Sequence, residues 1–182
     1  MIDLINKALP NTVSVGGKAF SIYTDFRVWM RFCNEYENWD KAGELDFSYI
    51  FKNDIPVFYG IEDFNTIFEF AYPRNLVPHG EVSGSRVLDY VIDSDYIYAA
   101  FFQQYDIDLM ESEMHWHKFK ALLNGLCEAT KLHEIMGYRS YEESHEKNEK
   151  EIYQKLKSNW ELPQVQTPEE KEIEDRFNEM FG

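Results

Sequence analysis

The chain has few of the side chains that usually hold metals or attack substrates. Two of its 182 residues are cysteines and five are histidines. Cys33 and Cys127 are far apart, and each lies within an apolar helical pattern. Two separated thiols make neither a metal motif nor a disulfide framework, which excludes the small disulfide-stapled secreted domains. We expect both to be buried as small hydrophobic side chains in a reducing compartment.

Positive charge is also scarce. The chain has 18 Lys and Arg against 33 Asp and Glu, a formal net charge of −15. Binding a bare phosphate backbone requires clustered Lys and Arg that displace counterions, and the sequence has no such cluster. We therefore expect no direct binding to nucleic acid. An acidic protein that mimics nucleic acid, and so occludes a nucleic-acid-binding partner, stays open as an alternative.

No apolar stretch is long enough for a membrane helix. The longest run has seven residues, Tyr96 to Phe102, whereas a spanning helix needs about 20. Residues 1–15 lack the basic region, apolar run and small-residue cleavage site of a secretory signal. We expect an intracellular protein without a membrane segment. The sequence also has no internal repeat and no low-complexity tract.

What the chain does have is apolar and aromatic residues, at 44% and 16% of the sequence, which is enough for a core. Near the start, short alternating runs flank Gly16-Gly17. Both central positions of the favoured hairpin turn need a positive φ, so the pattern predicts a β-hairpin. A phosphate-binding turn is the alternative, but the further glycines and the lysine of such loops are absent.

Two helices are predicted next. Thr24 is the expected N-cap of the first, whose aromatic side chains recur at steps of three and four residues. The second covers 61–71 and stops before Pro73. Between them, 38–56 fits either a short helix or a strand. Residues 73–85 contain two prolines and two glycines, which predicts an exposed loop.

The block from Asp93 to Arg139 is the most strongly patterned part of the chain. Ser94 is expected to cap a helix that runs to Tyr105, and Ser112 to cap one that ends at Gly125. Thr130 is expected to cap a short helix that closes at Gly137. The aromatic side chains of this block recur at helical spacing, while its polar side chains form no catalytic arrangement. The pattern indicates packing.

After Tyr141 the composition changes, with twelve acidic and six basic side chains in 141–182. Ile152, Leu156 and Trp160 form a narrow apolar stripe on an otherwise charged helix. After Pro163, a capped helix start at Thr167 precedes Phe177 and Phe181. Stripes this thin must dock on something. Either they fold back onto the body, or they bind another copy or a different protein.

The predicted fold is therefore mainly α: a helical bundle with a short N-terminal β-hairpin and a C-terminal helical arm. We divide it into a hairpin-plus-core domain, 1–140, and an acidic arm, 141–182. The residues that we expect to contact a partner lie on the arm: Ile152, Leu156, Trp160, Phe177 and Phe181.

Each group of residues that could suggest catalysis or metal binding lacks a feature that this chemistry requires. On one helix His115 and His117 point roughly 200° apart, so they cannot close on one ion. Asp106 and Asp108 begin like a calcium loop, but Met110 holds the next ligand position. Neither cysteine has a recognisable base nearby. We expect no catalytic residue, no metal and no cofactor, although an enzyme with carboxylates far apart in sequence stays open.

Four segments together carry a resemblance to a known family. They are TDFRVWMRF at 24–32, DSDYIYAAFFQQYDIDL at 93–109, HWHKFKALLNGL at 115–126 and MGYR at 136–139. In this succession they resemble the gene-product-fifteen family of phages and prophages of Gram-positive bacteria. The similarity runs from the predicted hairpin through Arg139.

The resemblance implies a tail assembly chaperone. Such a protein would keep the tape-measure protein soluble and help tail tube protein assemble around it, in the host bacterial cytoplasm and outside the mature virion. A homo-oligomer or a shorter companion chaperone is a further expectation. No catalytic residue comes with the family. The alternative is an acidic phage regulatory or host-takeover protein that occludes a nucleic-acid-binding partner.

Overall fold

The computed structural model describes residues 2–39, 45–73, 86–141 and 147–163, together with Arg176. Within these residues the fold is mainly α, as predicted. It has two strands, six α-helices and one 3₁₀ helix: β1 (Thr12–Val15), β2 (Lys18–Ser21), α1 (Phe26–Glu37), the 3₁₀ helix (Ser48–Ile50), α2 (Ile61–Ala71), α3 (Ser94–Tyr105), α4 (Trp116–Asn124), α5 (Lys131–Arg139) and α6 (Lys147–Trp160).

The N-terminal hairpin is confirmed. β1 and β2 pair antiparallel, and the turn residues Gly16 and Gly17 have φ values of 55° and 77°, the positive values that a two-residue hairpin turn requires. The hairpin is held on α2, where the Thr66 hydroxyl donates to the Ser14 carbonyl at 2.8 Å. The Gly16 amide donates to Asp63 Oδ1 at 3.2 Å. Tertiary contacts therefore support two strands that would be marginal alone.

Helix α1 begins one residue later than predicted. Its N-cap is Asp25, whose carboxylate accepts from the Arg27 amide at 2.9 Å, so the assignment of Thr24 is wrong. The Thr24 carbonyl instead accepts from the Trp116 amide at 2.7 Å. A backbone contact with a distant helix thus decides which residue caps α1. The apolar face is as predicted, with Phe26, Trp29, Phe32 and Cys33 buried.

The segment 38–56, for which the sequence fitted either a short helix or a strand, contains the 3₁₀ helix Ser48–Ile50. Phe51 follows it and forms an isolated antiparallel bridge with Ile22. Helix α2 has the predicted bounds. The loop predicted for 73–85 lies, beyond Pro73, outside the described residues.

Two further predicted caps are wrong. Asp93 precedes α3, and Ser94 is the first helical residue. Helix α4 begins at Trp116 behind the N-cap His115, which accepts from the His117 amide, so Ser112 is not its cap. Both predictions relied on a serine close to the expected start of the helix. The isolated bridge between Asp25 and His115 instead fixes where α4 starts.

Helix α5 confirms one prediction and corrects another. The Thr130 hydroxyl accepts from the His133 amide at 3.3 Å, as an N-cap does. The helix does not close at Gly137, which is one of its helical residues. It continues to Arg139, and Ser140 is its C-cap. Cys127 is exposed in the loop between α4 and α5, so the expectation of a buried thiol is wrong for it and right for Cys33.

The core is built around a stack of aromatic rings. The Phe119 ring packs between those of Phe26 and Phe101, with centroid distances of 4.8 and 5.0 Å and an angle of 11° to each. Trp116 is fully buried beside it and donates its indole N–H to the Ala71 carbonyl at 2.8 Å. Packing of the patterned block is therefore confirmed.

No helix in the described parts of the chain combines the length and the apolar character needed to cross a membrane.

Candidate functional site

Helix α6 carries three of the five residues predicted to contact a partner. Ile152 is 63% exposed, whereas Leu156 and Trp160 are half-buried. Phe177 and Phe181 lie outside the described residues. The structure therefore describes three of the five predicted contact residues, and Ile152 is the one of these three that is exposed.

The other end of α6 is attached to the body. Trp160 meets the Tyr96 ring edge-on at a centroid distance of 5.8 Å, and Lys131 Nζ lies 5.4 Å from the Trp160 ring centre. Leu162, just past the helix, is buried. Nearer the middle, Tyr153 stacks on Tyr141 at 4.7 Å. The apolar stripe thus does two things: its C-terminal end docks and its N-terminal end faces solvent.

Arg139 joins this docked end to the core. Its guanidinium makes a two-point ion pair with Asp93, at 2.6 and 3.0 Å. It also donates to the Trp160 carbonyl at 2.6 Å and to the Val87 carbonyl at 3.0 Å. Arg139 is 5% exposed and Asp93 1%. One buried side chain therefore links α5, the end of α6, the 86–93 turn and the start of α3.

An apolar groove of about 500 Å³ lies between α1 and α3. Its floor includes Met30, Ile97 and Leu109, and its edge includes Val91 and Met110, which are 62% and 77% exposed. We call this the α1–α3 groove. Sequence reasoning missed it, because its walls come from segments distant in the chain. The available signal was a set of apolar residues, such as Val91 and Met110, outside the helical stripes.

The charged groups beside the groove already have partners. The Arg27 guanidinium donates to the carbonyls of Leu109, at 2.6 Å, and Ser112, at 3.1 Å, and pairs with Asp25. Arg31 pairs with Glu35 at 2.7 Å. With these charges engaged, the groove offers mainly apolar surface, and what it can do chemically is bury apolar side chains of a ligand.

Ionisable groups cluster around the buried Cys33, and Lys120, Glu37 and Tyr72 among them are half-buried. Burial raises the pKa of Cys33 to about 12. Burial also lowers the pKa of Lys120, although Cys33 and Glu37 act in the opposite direction. The Lys120 ammonium lies 3.1 Å from the Tyr90 hydroxyl, and the Tyr72 hydroxyl donates to Glu37 at 3.1 Å. A thiol with so high a pKa is almost wholly protonated at neutral pH, which makes it a poor nucleophile.

His115 and His117 bind the backbone. His117 is buried, with Nε2 2.9 Å from the Phe70 carbonyl. His115 Nε2 lies 2.8 Å from the Pro10 carbonyl, so this nitrogen carries the proton. Its Nδ1 accepts from the His117 amide at 3.0 Å and is therefore unprotonated. Among the described residues no three His, Cys, Asp or Glu side chains are placed to hold one metal ion.

The free energy of unfolding should fall as the pH drops below about 6.5, the ordinary histidine pKa, in part because of His115. Burial lowers the pKa of His115 in the folded state, and Lys118 adds to this. The unfolded chain then binds more protons than the folded chain, so acid favours unfolding. Asparagine can still cap α4 but does not titrate. His115→Asn should therefore flatten the dependence of stability on pH between 7 and 5, measured by urea denaturation.

The same measurement between about pH 8 and 9 provides the control for this prediction. An imidazole with an ordinary or lowered pKa is uncharged there, so the His115→Asn and wild-type slopes should be equal in that range. If the His115→Asn and wild-type slopes coincide between pH 7 and 5, folding does not lower the pKa of His115.

The fold and these surfaces define a mainly α-helical protein with a short β-hairpin, an apolar groove and a helix that exposes an apolar side chain at Ile152. The family model described as bacteriophage Gp15 protein matches residues 43–162. The chain belongs to this family, which confirms the resemblance seen in the sequence. The matched region covers α2 to α6 and includes the α3 side of the groove. No curated protein matches the chain, and no solved structure matches it.

Proposed function

We propose that this phage protein is a tail assembly chaperone, which binds the tape-measure protein and assists assembly of the tail tube without catalysis. Its place of action in this proposal is the host bacterial cytoplasm, and it is not part of the mature virion. Family membership supports a phage role. The observation that carries the proposal is an open apolar groove on a chain with a net charge of −15.

A chaperone for a long, aggregation-prone helical protein has two opposing requirements. It must offer apolar surface to its client, and it must stay soluble while that surface is unoccupied. The α1–α3 groove meets the first, since an amphipathic helix can place its apolar face in such a groove. The large negative charge meets the second, because it makes copies repel one another.

The arm supplies the second contact in this proposal. Ile152 is open to solvent and can meet a client directly. Trp160 and Leu156 would contact the client only in exchange for contacts that α6 makes with the body. Phe177 and Phe181 remain proposed contacts. A homo-oligomer or a shorter companion chaperone is compatible with this arrangement.

Co-expression with the tape-measure protein of the same phage tests the function. We expect the tape-measure protein to stay soluble and to co-purify with the wild-type chain. Met110→Glu in the groove and Ile152→Glu on α6 should each reduce the recovered complex about tenfold, because burying an apolar side chain contributes about 1.5–3 kcal/mol. The measured quantity is the ratio of the two proteins after affinity purification.

Matched variants add one negative charge at exposed positions of neighbouring elements. Gln103→Glu on α3 and Ser158→Glu on α6 should leave the complex intact. An insoluble tape-measure protein with nothing bound would refute the chaperone function. Loss of binding with the control variants as well would mean that charge alone, and not the groove or Ile152, controls the interaction.

A further inference from the structure

Exposed apolar side chains continue from the α1–α3 groove along one side of α3. Ser94 and Tyr98 line the groove, and Phe102 follows at a step of four residues. The rings of Tyr98 and Phe102 stack at a centroid distance of 6.2 Å, and Phe102 is half exposed. Residues four apart lie on the same side of a helix. This side of α3 therefore extends the groove for about 12 Å along the helix axis, which is about two turns of a second helix.

The groove suits a helical ligand better than an extended one. Its long walls are the helices α1 and α3, in which the backbone N–H and C=O groups are paired with one another. An extended ligand would bury backbone groups that find no partners on these walls, which costs free energy. A helical ligand brings its backbone groups already paired, so that only its apolar face needs to enter the groove.

The unpaired charges beside this surface are carboxylates. Asp95 is exposed and lies three residues before Tyr98, on the same side of α3. Asp108 is half-buried and Glu111 is exposed, in the turn that carries Met110. In the part of the chain that the structure describes, none of these three carboxylates forms an ion pair. They are therefore available to a ligand.

Two of these carboxylates lie at the end of the groove that Tyr98 and Met110 form. Asp108 Oδ1 accepts from the Met110 amide at 2.8 Å. Desolvation raises the pKa of the Tyr98 hydroxyl, and the charges of Asp108 and Glu111 raise it further. The arginines of the α1 wall, in contrast, are already paired with acidic neighbours in the chain. The unbalanced charge at the groove is therefore negative.

We infer that the α1–α3 groove takes an amphipathic helix whose apolar face is bordered by lysine or arginine. Cations on these borders would meet Asp95, Asp108 and Glu111, and the net charge of −15 would speed the encounter. The same charge disfavours an acidic helix and a second copy of this chain. The inference rests on the proposed function, since it names the kind of tape-measure segment that the groove would bind.

Fluorescence anisotropy with designed helical peptides tests this chemistry on the full-length chain. The peptides have about 18 residues, or five turns, and share one leucine face, with lysine, glutamine or glutamate on its borders. At about 50 mM salt the lysine peptide should bind about tenfold more tightly than the glutamine peptide, and the glutamate peptide most weakly. The preference should shrink to about threefold or less at about 500 mM salt, which screens exposed charges. Equal affinities at low salt would overturn the inference.

Charge variants test whether the groove is the place of binding. Asp108→Asn with Glu111→Gln should weaken the lysine peptide about fivefold and leave the glutamine peptide unchanged, because asparagine keeps an oxygen for the Met110 amide. The matched control is Glu62→Gln with Glu128→Gln, which removes the same charge at exposed positions that do not line the groove. It should change neither affinity by more than about twofold. An equal loss with the control pair would overturn the groove as the site.

A lysine peptide with a central proline tests the helical form of the ligand. Proline interrupts the helix, so this peptide should bind about tenfold more weakly. Equal binding would mean an extended ligand and would overturn the inference. So would a chain that binds none of the peptides and is dimeric in sedimentation equilibrium, because a second copy would then fill the groove.

The co-expression experiment separates this inference from the proposed function. If the tape-measure protein is insoluble while the lysine preference is found, the chaperone function fails and the preference of the groove stands. If the tape-measure protein is held soluble while the lysine, glutamine and glutamate peptides bind alike, the inference alone fails.

Discussion

Replacing Arg139 with methionine should lower the free energy of unfolding of the full chain by about 3–5 kcal/mol. The two-point pair with Asp93 is almost fully buried, and the substitution leaves the Asp93 carboxylate without its countercharge. The carbonyls of Trp160 and Val87 also lose their charged donor. Urea denaturation followed by circular dichroism measures the loss.

The same variant should loosen α6. Because Arg139 holds the last carbonyl of α6, amide hydrogen exchange in 151–160 should speed up more than exchange in α4. Arg31→Met is the matched control on α1: its pair with Glu35 is largely exposed, and such pairs contribute at most about 1 kcal/mol. If Arg139→Met costs no more than Arg31→Met, the buried pair does not hold the arm.

A double variant separates the effect of leaving Asp93 without its countercharge from the effect of losing the ion pair itself. Replacing both partners with apolar residues, Arg139→Met with Asp93→Leu, removes the orphaned charge as well as the attraction. Buried pairs replaced in this way are often neutral or better. The double variant should therefore be more stable than Arg139→Met alone, although α6 still lacks its donor.

Elements set by local pattern were predictable from the sequence. The turn at Gly16-Gly17 and the apolar periodicities of α1 and α2 have their causes within a few residues. The caps of α1 and α4 were not predictable, because the bridge between Asp25 and His115 decides them across 90 residues of chain. Serine near a helix start is a weak signal when a tertiary backbone contact competes with it.

The candidate site divides in the same way. The apolar stripe on α6 could be read from its spacing, whereas its split into a docked end at Trp160 and an open point at Ile152 could not. Arg139 was visible only as part of a motif, since its partners lie 46, 21 and 52 residues away. The α1–α3 groove exists only once distant segments meet. A surface assembled from distant segments can be recognised only in the three-dimensional structure. An apolar stripe along one helix can be recognised from its spacing in the sequence.

The neighbouring residues Phe101 and Phe102 should respond very differently to the same substitution. Phe101 is fully buried, and its ring stacks on Phe119 at 5.0 Å. Phe101→Ala should therefore cost about 3–5 kcal/mol through lost burial and a cavity that the rigid neighbours cannot fill. Phe102 is 51% exposed, so Phe102→Ala, on the same helix and of the same chemistry, should cost about 1 kcal/mol or less.

Urea denaturation of both variants measures this contrast, with the midpoint shifting and the slope against urea unchanged if the fold is kept. Should Phe101→Ala fail to fold, Phe101→Leu keeps most of the volume and should still be less stable than Phe102→Leu. Equal losses at the two positions would show that the helix is rotated from the orientation described. A large loss at Phe101 alone places the stack of Phe26, Phe119 and Phe101 at the centre of the fold, beneath the groove that we propose receives the client.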